Sequence, residues 1–503
     1  MGVVFRQSAK NSIVVVLGAF LGALVIWLSP KYLSKPQLGF TRTMANYAVT
    51  FSQILLLGLN STLIVYIHRF ANDERKKKTL VTICLTLPIF IAAVFSVVYF
   101  LLHAWILHHF QPQDVPFMER YFTWLPLYTI LFIYMVILEQ YLGSQMKVAI
   151  SAFMREVVLR IANITLLLLY GFGYVNFDVL VTGTIMIYAL PVLIFLFLSA
   201  RIKGFGVSFQ FENFTRSEYK EMIHFSWYHF LLTISVLLMS YLDALSLPFY
   251  DHKGFSSVAL YTTAVFFISF LQLPLKAMIP ASFTVLAKAF AENDMPKAKD
   301  IFIRSSINIL IPTVAIAVLV GCNLKNVTLV INNNYSEIIP VFGILFIGNI
   351  VNIATGMNDQ VLSIANYYKF NFYLSLTLIG VLYVLIRIFV PRYGIYGAAW
   401  STTTILMLFN ILKYFFIWKK LDMQPLSKQT LLVAVAGIMA LAGGYFFPHL
   451  FDQSHHVYVR TFMDVAIRST VIIIIYVLML LWLKPSPDLE EYLGSIKKNK
   501  RLF

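Results

Sequence analysis

Long apolar segments recur along the whole 503-residue chain, and short polar connections separate them. A helix needs about 20 predominantly apolar residues to cross the hydrocarbon core of a bilayer. Runs of that length predict about fourteen membrane-spanning helices. They lie near 11–29, 41–67, 80–102, 119–142, 147–170, 178–199, 222–246, 257–282, 304–322, 338–356, 370–390, 394–417, 429–447 and 462–483. We therefore predict an all-α, polytopic membrane protein with little chain outside the bilayer.

The composition agrees with this pattern. Hydrophobic residues make up 59% of the chain and charged residues 12%, whereas soluble domains carry about 25% charged residues. The net charge of +16 does not indicate a nucleic-acid partner, because the basic residues are spread among short loops and do not form one soluble face. The two cysteines, Cys84 and Cys322, cannot form a disulfide framework, and we expect them to be packing residues.

The basic residues are divided unequally between the two sides of the predicted membrane. Most lie on the side of the N-terminus, in the stretches 69–78, 201–220, 288–299 and 419–420 and in the C-terminal tail. The positive-inside rule therefore predicts that both termini are cytoplasmic. We expect a multi-pass protein of the inner (cytoplasmic) cell membrane, with membrane lipids in contact with these basic loops.

A weak internal repeat with an offset of about 220 residues accompanies the helix pattern. Phe70-Ala71 followed by Asn72-Asp73 recurs as Phe290-Ala291 followed by Asn293-Asp294, each time after the second long helix of a half. We predict two related six-helix lobes and two additional helices. The expected divisions are an N-terminal lobe over 1–200, a cytoplasmic linker over 201–221, a C-terminal lobe over 222–420, and the last two helices with a basic cytoplasmic tail over 421–503.

Several short stretches add to the helix count. They are Leu38-Gly39-Phe40 in the first outer loop, the stretch from Tyr393 to Ala399, and Asp243 with Tyr261 and Pro280. With the six plus six plus two arrangement, they resemble the multidrug/oligosaccharidyl-lipid/polysaccharide (MOP) exporter superfamily, particularly its polysaccharide flippases of the O-antigen type. The resemblance implies a MATE-like fold, with a V-shaped pair of six-helix lobes around a central cavity that opens alternately to each side.

The resemblance also implies a function. Such flippases move undecaprenyl-diphosphate-linked oligosaccharides from the cytoplasmic to the periplasmic leaflet for surface polysaccharide, including lipopolysaccharide, biosynthesis. The expected partners are this lipid-linked oligosaccharide, a coupling ion (proton or sodium) and polysaccharide-assembly proteins. The chain lacks the arginine series that the peptidoglycan-precursor branch carries along its first two helices, so no substrate-contacting arginine is transferred from that branch.

Charged residues inside the predicted helices are the candidates for chemistry, because a charge in the hydrocarbon region is costly unless it has a function or a partner. The span 147–170 is the richest. Glu156, Arg160 and Asn163 stand at positions i, i+4 and i+7, on one stripe of the helix. The Glu156–Arg160 pair is either a structural ion pair or part of a cavity. Spacing reveals no partner for Arg155, which either lines a cavity or extends to the inner headgroups.

Three further residues complete the predicted site. Arg42 is either an interfacial anchor or a cavity residue, and Lys276 lies between two prolines of a helix that we expect to be kinked. Asp243 either accepts a hydrogen bond from a neighbouring helix or exchanges a coupling ion. The predicted substrate-binding residues are Arg42, Arg155, Arg160, Asn163 and Lys276, and the predicted ion-coupling residues are Asp243 and Glu156.

The balance of intramembrane charges favours an anionic substrate. The bases are Arg42, Arg155, Arg160, Lys276, Arg387, Lys413 and Arg468, and the acids are Glu139, Glu156, Asp243 and Asp464. We expect Asp464 and Arg468 to pair locally. A cation-coupled multidrug exporter of the same superfamily is the main alternative to a flippase, and it would favour more cavity acids. A membrane enzyme of polysaccharide assembly is a weaker alternative.

Enzyme signatures are lacking. The sequence contains no Walker A loop, HExxH or GxSxG motif, so we expect no enzymatic activity and no cofactor. Two groups of histidines, His103, His108 and His109 and then His449, His455 and His456, show no regular ligand spacing. We therefore predict no metal site.

Overall fold

The computed structural model describes residues 2–202, 204–331, 335–448, 457–486 and 488. These residues are almost entirely helical, as predicted. The first group of helices comprises α1 (Gly2–Tyr32), α2 (Lys35–Leu55), α3 (Leu59–Arg69), α4 (Glu74–Leu101), α5 (His103–His108), α6 (Val115–Tyr121), α7 (Trp124–Ser144), α8 (Val148–Phe153), a π-helical turn (Met154–Val158), α9 (Leu159–Gly171), α10 (Phe177–Met186), α11 (Ala189–Ala200) and α12 (Arg216–Tyr250).

The second group begins with α13 (Phe255–Leu271) and continues with α14 (Leu273–Ala291), α15 (Met295–Ile331), α16 (Ile338–Ala354), α17 (Asn358–Ile364), α18 (Tyr368–Tyr393), α19 (Ile395–Leu421), α20 (Lys428–Phe446) and α21 (Val457–Leu483). The chain forms two compact units, Met1–Ala259 and Leu260–Phe503. Helix α13 therefore starts in the first unit and continues into the second. The predicted basic tail beyond residue 488 and the group His449, His455 and His456 lie outside the described residues.

Eleven helices in the described part of the chain are long and apolar enough to cross a membrane, and the bent pair α2–α3 raises the number to twelve. The protein is thus a multi-pass membrane protein. Each of the fourteen predicted spans falls on helical chain, but α13 and the apolar part of α1, Leu17–Tyr32, are too short to be counted among these helices. The number fourteen therefore stays a prediction.

Four predicted spans are broken rather than continuous. The spans 119–142 and 178–199 are interrupted at residues 122–123 and 187–188. The span 41–67 bends by 48° between α2 and α3, where Leu57 (φ 46°) and Gly58 (φ 78°) leave helical geometry. A Cβ on Gly58 would lie 2.1 Å from the carbonyl oxygen of Ser226 on α12, so glycine is required for this close approach. The Ser226 hydroxyl donates to the Leu57 carbonyl at 2.7 Å, which satisfies a backbone acceptor freed by the bend. The span 257–282 is interrupted at Gln272, between α13 and α14.

The internal repeat is visible in the turn that follows α7 and the turn that follows α17. In the first turn the Lys147 N–H donates to the Leu142 carbonyl at 3.0 Å, and Met146 has a φ of 58°. In the second, about 220 residues later, the Tyr367 N–H donates to the Leu362 carbonyl at 2.8 Å. Asn366 there has a φ of 60°. Both turns are Schellman motifs, which end a helix with one left-handed residue.

The two turns are preceded by matching side chains. The pair Glu139-Gln140 precedes the first turn, and the pair Asp359-Gln360 precedes the second at the same offset. An acid at the end of a membrane helix is thus a feature of both halves. The repeated Asn-Asp stretch also has one local role, because the carboxylates of Asp73 and Asp294 accept backbone N–H groups of the helices they precede, α4 and α15.

Three hydrogen bonds hold the turn between α12 and α13 against the connection between α5 and α6. The Gln111 amide donates to the Phe249 carbonyl at the end of α12 at 3.1 Å, and the Gln113 amide donates to the His252 carbonyl in the turn at 2.6 Å. The Phe255 N–H donates to the Asp114 carboxylate at 2.8 Å. Asp114 is 1% exposed, and this burial raises its pKa from 3.8 to about 6, although the hydrogen bond from Phe255 opposes the shift. We call these three side chains the 111–114 clamp.

Candidate functional site

Four charged side chains form one connected cluster within the first unit. Arg155, in the π-helical turn, donates to Glu139 of α7 at 2.9 Å and to its neighbour Glu156 at 3.3 Å. Arg160 of α9 donates to Glu156 at 2.6 Å and also to the backbone carbonyl of Gly18 in α1. The Glu139–Arg155–Glu156–Arg160 cluster therefore links three elements and has no formal net charge.

The backbone beneath the cluster is unusual. Residues Met154–Val158 form a π-helical turn between α8 and α9, closed by a hydrogen bond from the Leu159 N–H to the Met154 carbonyl. Such turns are rare in proteins and occur frequently at functional sites. Helix α1 approaches this turn closely at Gly18, where an added Cβ would lie 2.8 Å from the Cβ of Glu156. Glycine at this position thus allows the Gly18 carbonyl to accept from Arg160.

The bases of the cluster are more exposed than its acids. The Arg155 and Arg160 side chains are 51% and 32% exposed, and those of Glu139 and Glu156 are 18% and 20% exposed. A guanidinium carries five N–H donors, and in the described residues each of these arginines uses two of them. The carboxylates therefore hold the guanidinium groups in place, and donors remain for an anionic ligand.

The cluster confirms one spacing prediction and corrects another. Glu156 and Arg160 form the expected i,i+4 pair. The interpretation of Arg155 as a residue without a partner is wrong, because Glu139 reaches it from another helix and helical spacing cannot show a contact between helices. Asn163 does not join the cluster. Its amide donates to the Leu159 carbonyl of its own helix at 2.9 Å.

The other predicted site residues lie in different surroundings. Arg42 of α2 donates to the backbone carbonyl of Ala259 in α13 at 2.9 Å. Asp243 of α12 is 5% exposed, and its carboxylate accepts the Ala244 N–H at 2.6 Å. Lys276 lies on α14 in the second unit and is exposed there. The roles of Arg42 and Lys276 in substrate binding and of Asp243 in ion coupling stay predictions.

The second unit contains an ion pair between a buried lysine and an exposed aspartate, which the sequence did not predict. Lys413 of α19 is 1% exposed and donates to Asp359 of α17 at 3.0 Å, whereas the Asp359 side chain is 51% exposed. Asn371 of α18 donates to the same carboxylate oxygen at 3.0 Å. Asp359 lies in the short helix that follows a predicted span, so the tally of intramembrane acids omitted it. The offset of about 220 residues from Glu139 could have identified it.

A third ion pair is the predicted local one. Arg468 donates to Asp464 at 3.3 Å and to the Gly444 carbonyl at 2.6 Å. Its side chain is 4% exposed and that of Asp464 is 7% exposed. Both charges are therefore enclosed by the second unit, and we interpret the pair as structural. In the described residues no group of three histidine, cysteine, aspartate or glutamate side chains could hold a metal ion.

Comparisons with known proteins identify the fold. No protein-family model and no curated protein sequence matches the chain. Among solved structures, the chain is similar to the lipid II flippase MurJ in an inward closed conformation, with a TM-score of 0.71 and 14% identity over 95% of this chain and 99% of that one. The chain has a MurJ-like fold.

Two MATE family transporters of the MOP superfamily are also similar to this chain in fold. An inward-facing multidrug resistance transporter of the MATE family is similar to this chain with a TM-score of 0.60 and 15% identity, over 82% of this chain and 94% of that one. An outward-facing MATE transporter gives a TM-score of 0.52 and 13% identity, over 84% and 95% of the two chains. At such identities the likeness establishes a MATE- and MurJ-like fold and does not identify a substrate.

Proposed function

We propose that this protein is a flippase that moves a lipid-linked oligosaccharide of the undecaprenyl-diphosphate type from the cytoplasmic to the periplasmic leaflet by alternating access. The product would serve surface polysaccharide biosynthesis. The MOP-exporter fold, with its likeness to a lipid II flippase over nearly the whole of both chains, supports transport of a lipid-linked substrate. The proposal includes an inner-membrane location with both termini in the cytoplasm.

The observation that carries the proposal is the pair of exposed guanidinium groups in the Glu139–Arg155–Glu156–Arg160 cluster. A diphosphate needs cationic donors wherever it leaves water, because its desolvation costs several kcal/mol or more. Arginine suits this role, since its planar donors bind phosphate oxygens in pairs and its charge is permanent. Carboxylates hold Arg155 and Arg160, which are 51% and 32% exposed, and each guanidinium has N–H donors that no described residue uses.

The acids of the cluster give it a second property. When no substrate is bound, Glu139 and Glu156 neutralise the two arginines, so the cluster can lie at a membrane helix without an isolated charge. A bound diphosphate would compete with Glu139 for the more exposed Arg155. We propose Arg155 and Arg160 as primary substrate contacts. Arg42, Asn163 and Lys276 are proposed as further contacts, and Asp243 and Glu156 as ion-coupling residues.

A genetic experiment tests the proposed function. Deletion of the gene should reduce surface polysaccharide and cause lipid-linked repeat units to accumulate on the inner leaflet. The Arg160→Ala variant should insert into the membrane normally and fail to restore the polysaccharide. Arg120→Ala is the matched control, because Arg120 forms an exposed pair with Asp178 in the same unit and should restore it. Full complementation by Arg160→Ala would remove the cluster from the substrate site.

The second candidate function is a cation-coupled multidrug exporter. The likeness to two MATE transporters favours it. The same deletion strain separates the two functions, because an exporter predicts new drug sensitivity with unchanged polysaccharide. A membrane enzyme of polysaccharide assembly has less support, since the solved relatives reported above are transporters and a flippase.

A further inference from the structure

The Asp359–Lys413 pair combines a buried base with an accessible acid. The Lys413 side chain is 1% exposed, whereas the side chain of its partner Asp359 is 51% exposed. The ammonium also lies 3.6 Å from the centre of the Phe409 ring, which covers it on another side. In the Asp464–Arg468 pair, by contrast, both side chains are enclosed. The two buried pairs of the second unit therefore differ in solvent access.

The polar neighbours of the pair have unused hydrogen-bonding capacity. Asn358 is 1% exposed, and neither its side-chain oxygen nor its nitrogen has a partner among the described residues. The side-chain oxygen of Asn371 is also buried without a partner, although its nitrogen contacts Asp359. Buried polar atoms are usually paired, so the three unsatisfied side-chain atoms of Asn358 and Asn371 need an explanation. A second protonation state of the Asp359–Lys413 pair, with a different number of N–H and O–H donors, would provide hydrogen-bond partners for these amide atoms.

The corresponding acid in the first unit is paired with an arginine and not with a lysine. Glu139 is paired with Arg155, and about 220 residues later Asp359 is paired with Lys413. A guanidinium remains charged in proteins, whereas a buried lysine ammonium can lose its proton. The first pair can therefore hold its charge permanently. The second pair has the chemistry to change its protonation.

We propose that Asp359 and Lys413 form a proton-exchange site of the second unit, in which a proton passes from the buried ammonium to the exposed carboxylate and then to solvent. In the first step the Nζ–H bond breaks and an Oδ–H bond forms, which leaves a neutral amine and a neutral carboxylic acid. In the second step the acid gives its proton to water. The reverse sequence reloads the lysine.

The surroundings confine this exchange to the two residues. Among the described residues, Lys413 has Asp359 as its ion-pair partner, and Asp359 has Lys413 as its ion-pair partner and Asn371 as a neutral one. Asn358, on the same short helix as Asp359, is also neutral. The site differs from the predicted coupling residues Asp243 and Glu156, which lie in the first unit. It also stands independently of the substrate proposed above, because proton exchange needs no lipid-linked sugar.

Infrared difference spectra of the full-length protein in phosphatidylcholine vesicles, recorded between about pH 5 and about pH 10, test the proposal across the range where carboxyl and ammonium groups titrate. The wild type should show a carboxylic acid band of one group that Asp359→Asn removes. Lys413→Arg should also remove this band, because a permanent guanidinium keeps Asp359 ionised. Lys299→Arg is the matched control, since Lys299 forms an exposed pair with Asp422, and it should leave the band unchanged.

Two results would overturn the proposal: a wild-type spectrum that Asp359→Asn does not change, or an Asp359 band that persists in Lys413→Arg. If Lys413→Arg fails to fold, the double variant Asp359→Asn/Lys413→Met provides the second test. It replaces the ion pair with neutral groups and should fold, because buried pairs often tolerate neutral replacement of both partners. Its spectrum must lack the band, and a retained band would contradict the assignment to Asp359. Flippase activity plays no part in either measurement.

Discussion

At the scale of single residues, solvent access separates the ion pairs of this protein more clearly than their distances do. Arg155 is half-exposed and paired with shielded acids, Lys413 is buried and paired with an exposed acid, and Arg468 is buried with its partner. A buried pair is weak evidence for stability, because desolvation offsets most of its attraction. In the first two pairs the more exposed member, Arg155 or Asp359, indicates where a ligand or a proton can enter.

Gly18 provides a test at this scale. Gly18→Val should displace the Glu156 side chain, since even a Cβ would lie 2.8 Å from the Cβ of Glu156. We expect a loss of about 1–3 kcal/mol in stability, as for other overpacked sites, together with failure to complement the deletion. Thermal unfolding in detergent and the polysaccharide assay measure the two effects. Gly143→Ala is the control, because its Cβ meets nothing within 4 Å. Equal behaviour of the two variants would contradict the close approach of α1.

At the scale of elements, the turns and the helix breaks are the most specific features of the fold. The Schellman turns after α7 and α17 place a non-glycine residue at a φ of about 60°. Such a conformation is unfavourable for residues other than glycine, least so for asparagine. The two halves therefore retain the same turn despite different residues at its strained position.

Substitution in these turns should be stabilising. Met146→Gly should raise the free energy of unfolding by roughly 1 kcal/mol, and Asn366→Gly by less, because asparagine already tolerates the left-handed region. Thermal unfolding of the purified variants in detergent measures the difference. A lower unfolding temperature for Met146→Gly would show that the methionine side chain contributes more through packing than its backbone conformation costs.

The 111–114 clamp makes stability depend on pH. The folded pKa of Asp114, about 6, lies above its ordinary value of 3.8, because burial disfavours the carboxylate. Its contribution to stability is thus fully present below about pH 4 and is lost as the pH rises through about 6. Asp114→Asn should remove this pH dependence and raise stability at pH 7 by on the order of 2 kcal/mol. The unfolding temperatures of the wild type and of Asp114→Asn at pH 5 and pH 8 measure this pH dependence, and the same pH profile in both proteins would contradict the prediction.

The apolar pattern was sufficient to predict the helices, because the length of a membrane span is a local property of the chain. Local spacing likewise predicted the Glu156–Arg160 and Asp464–Arg468 pairs. The π-helical turn has no comparable sequence pattern. Contacts such as Glu139–Arg155 and Asp359–Lys413 join residues on different helices, so they depend on packing that single-sequence spacing does not contain. The sequence therefore predicted only part of the candidate site.

At the scale of the whole molecule, the fold is similar to those of MurJ and MATE transporters although the sequence identities are 13–15%. Membrane helices need only apolar side chains of suitable size, so many sequences satisfy the same architecture. Under the proposed function, substrate choice depends on the few charged positions. For this reason we base the proposed function on the Glu139–Arg155–Glu156–Arg160 cluster.

Topology gives a prediction at this scale. If the basic loops face the cytoplasm, reporter domains fused at the N-terminus and after Phe503 should both be active only as cytoplasmic reporters. A reporter inserted in the connection that contains the 111–114 clamp should behave as periplasmic. Opposite results for the two termini would require an odd number of spans and would contradict the predicted orientation of the chain.

The buried lysine has a consequence for synthesis of the chain. A lysine within a membrane helix raises the cost of membrane insertion, by about 2.5–3.5 kcal/mol at the helix centre and by less towards an end, where Lys413 lies in α19. Asp359 precedes Lys413 by 54 residues, so the carboxylate leaves the ribosome before the lysine that needs it. Glu139 likewise precedes Arg155, and Asp464 precedes Arg468. In each of these three pairs the acid is synthesised before the base, so the lysine or arginine can enter the bilayer together with an ion-pair partner that has already been made.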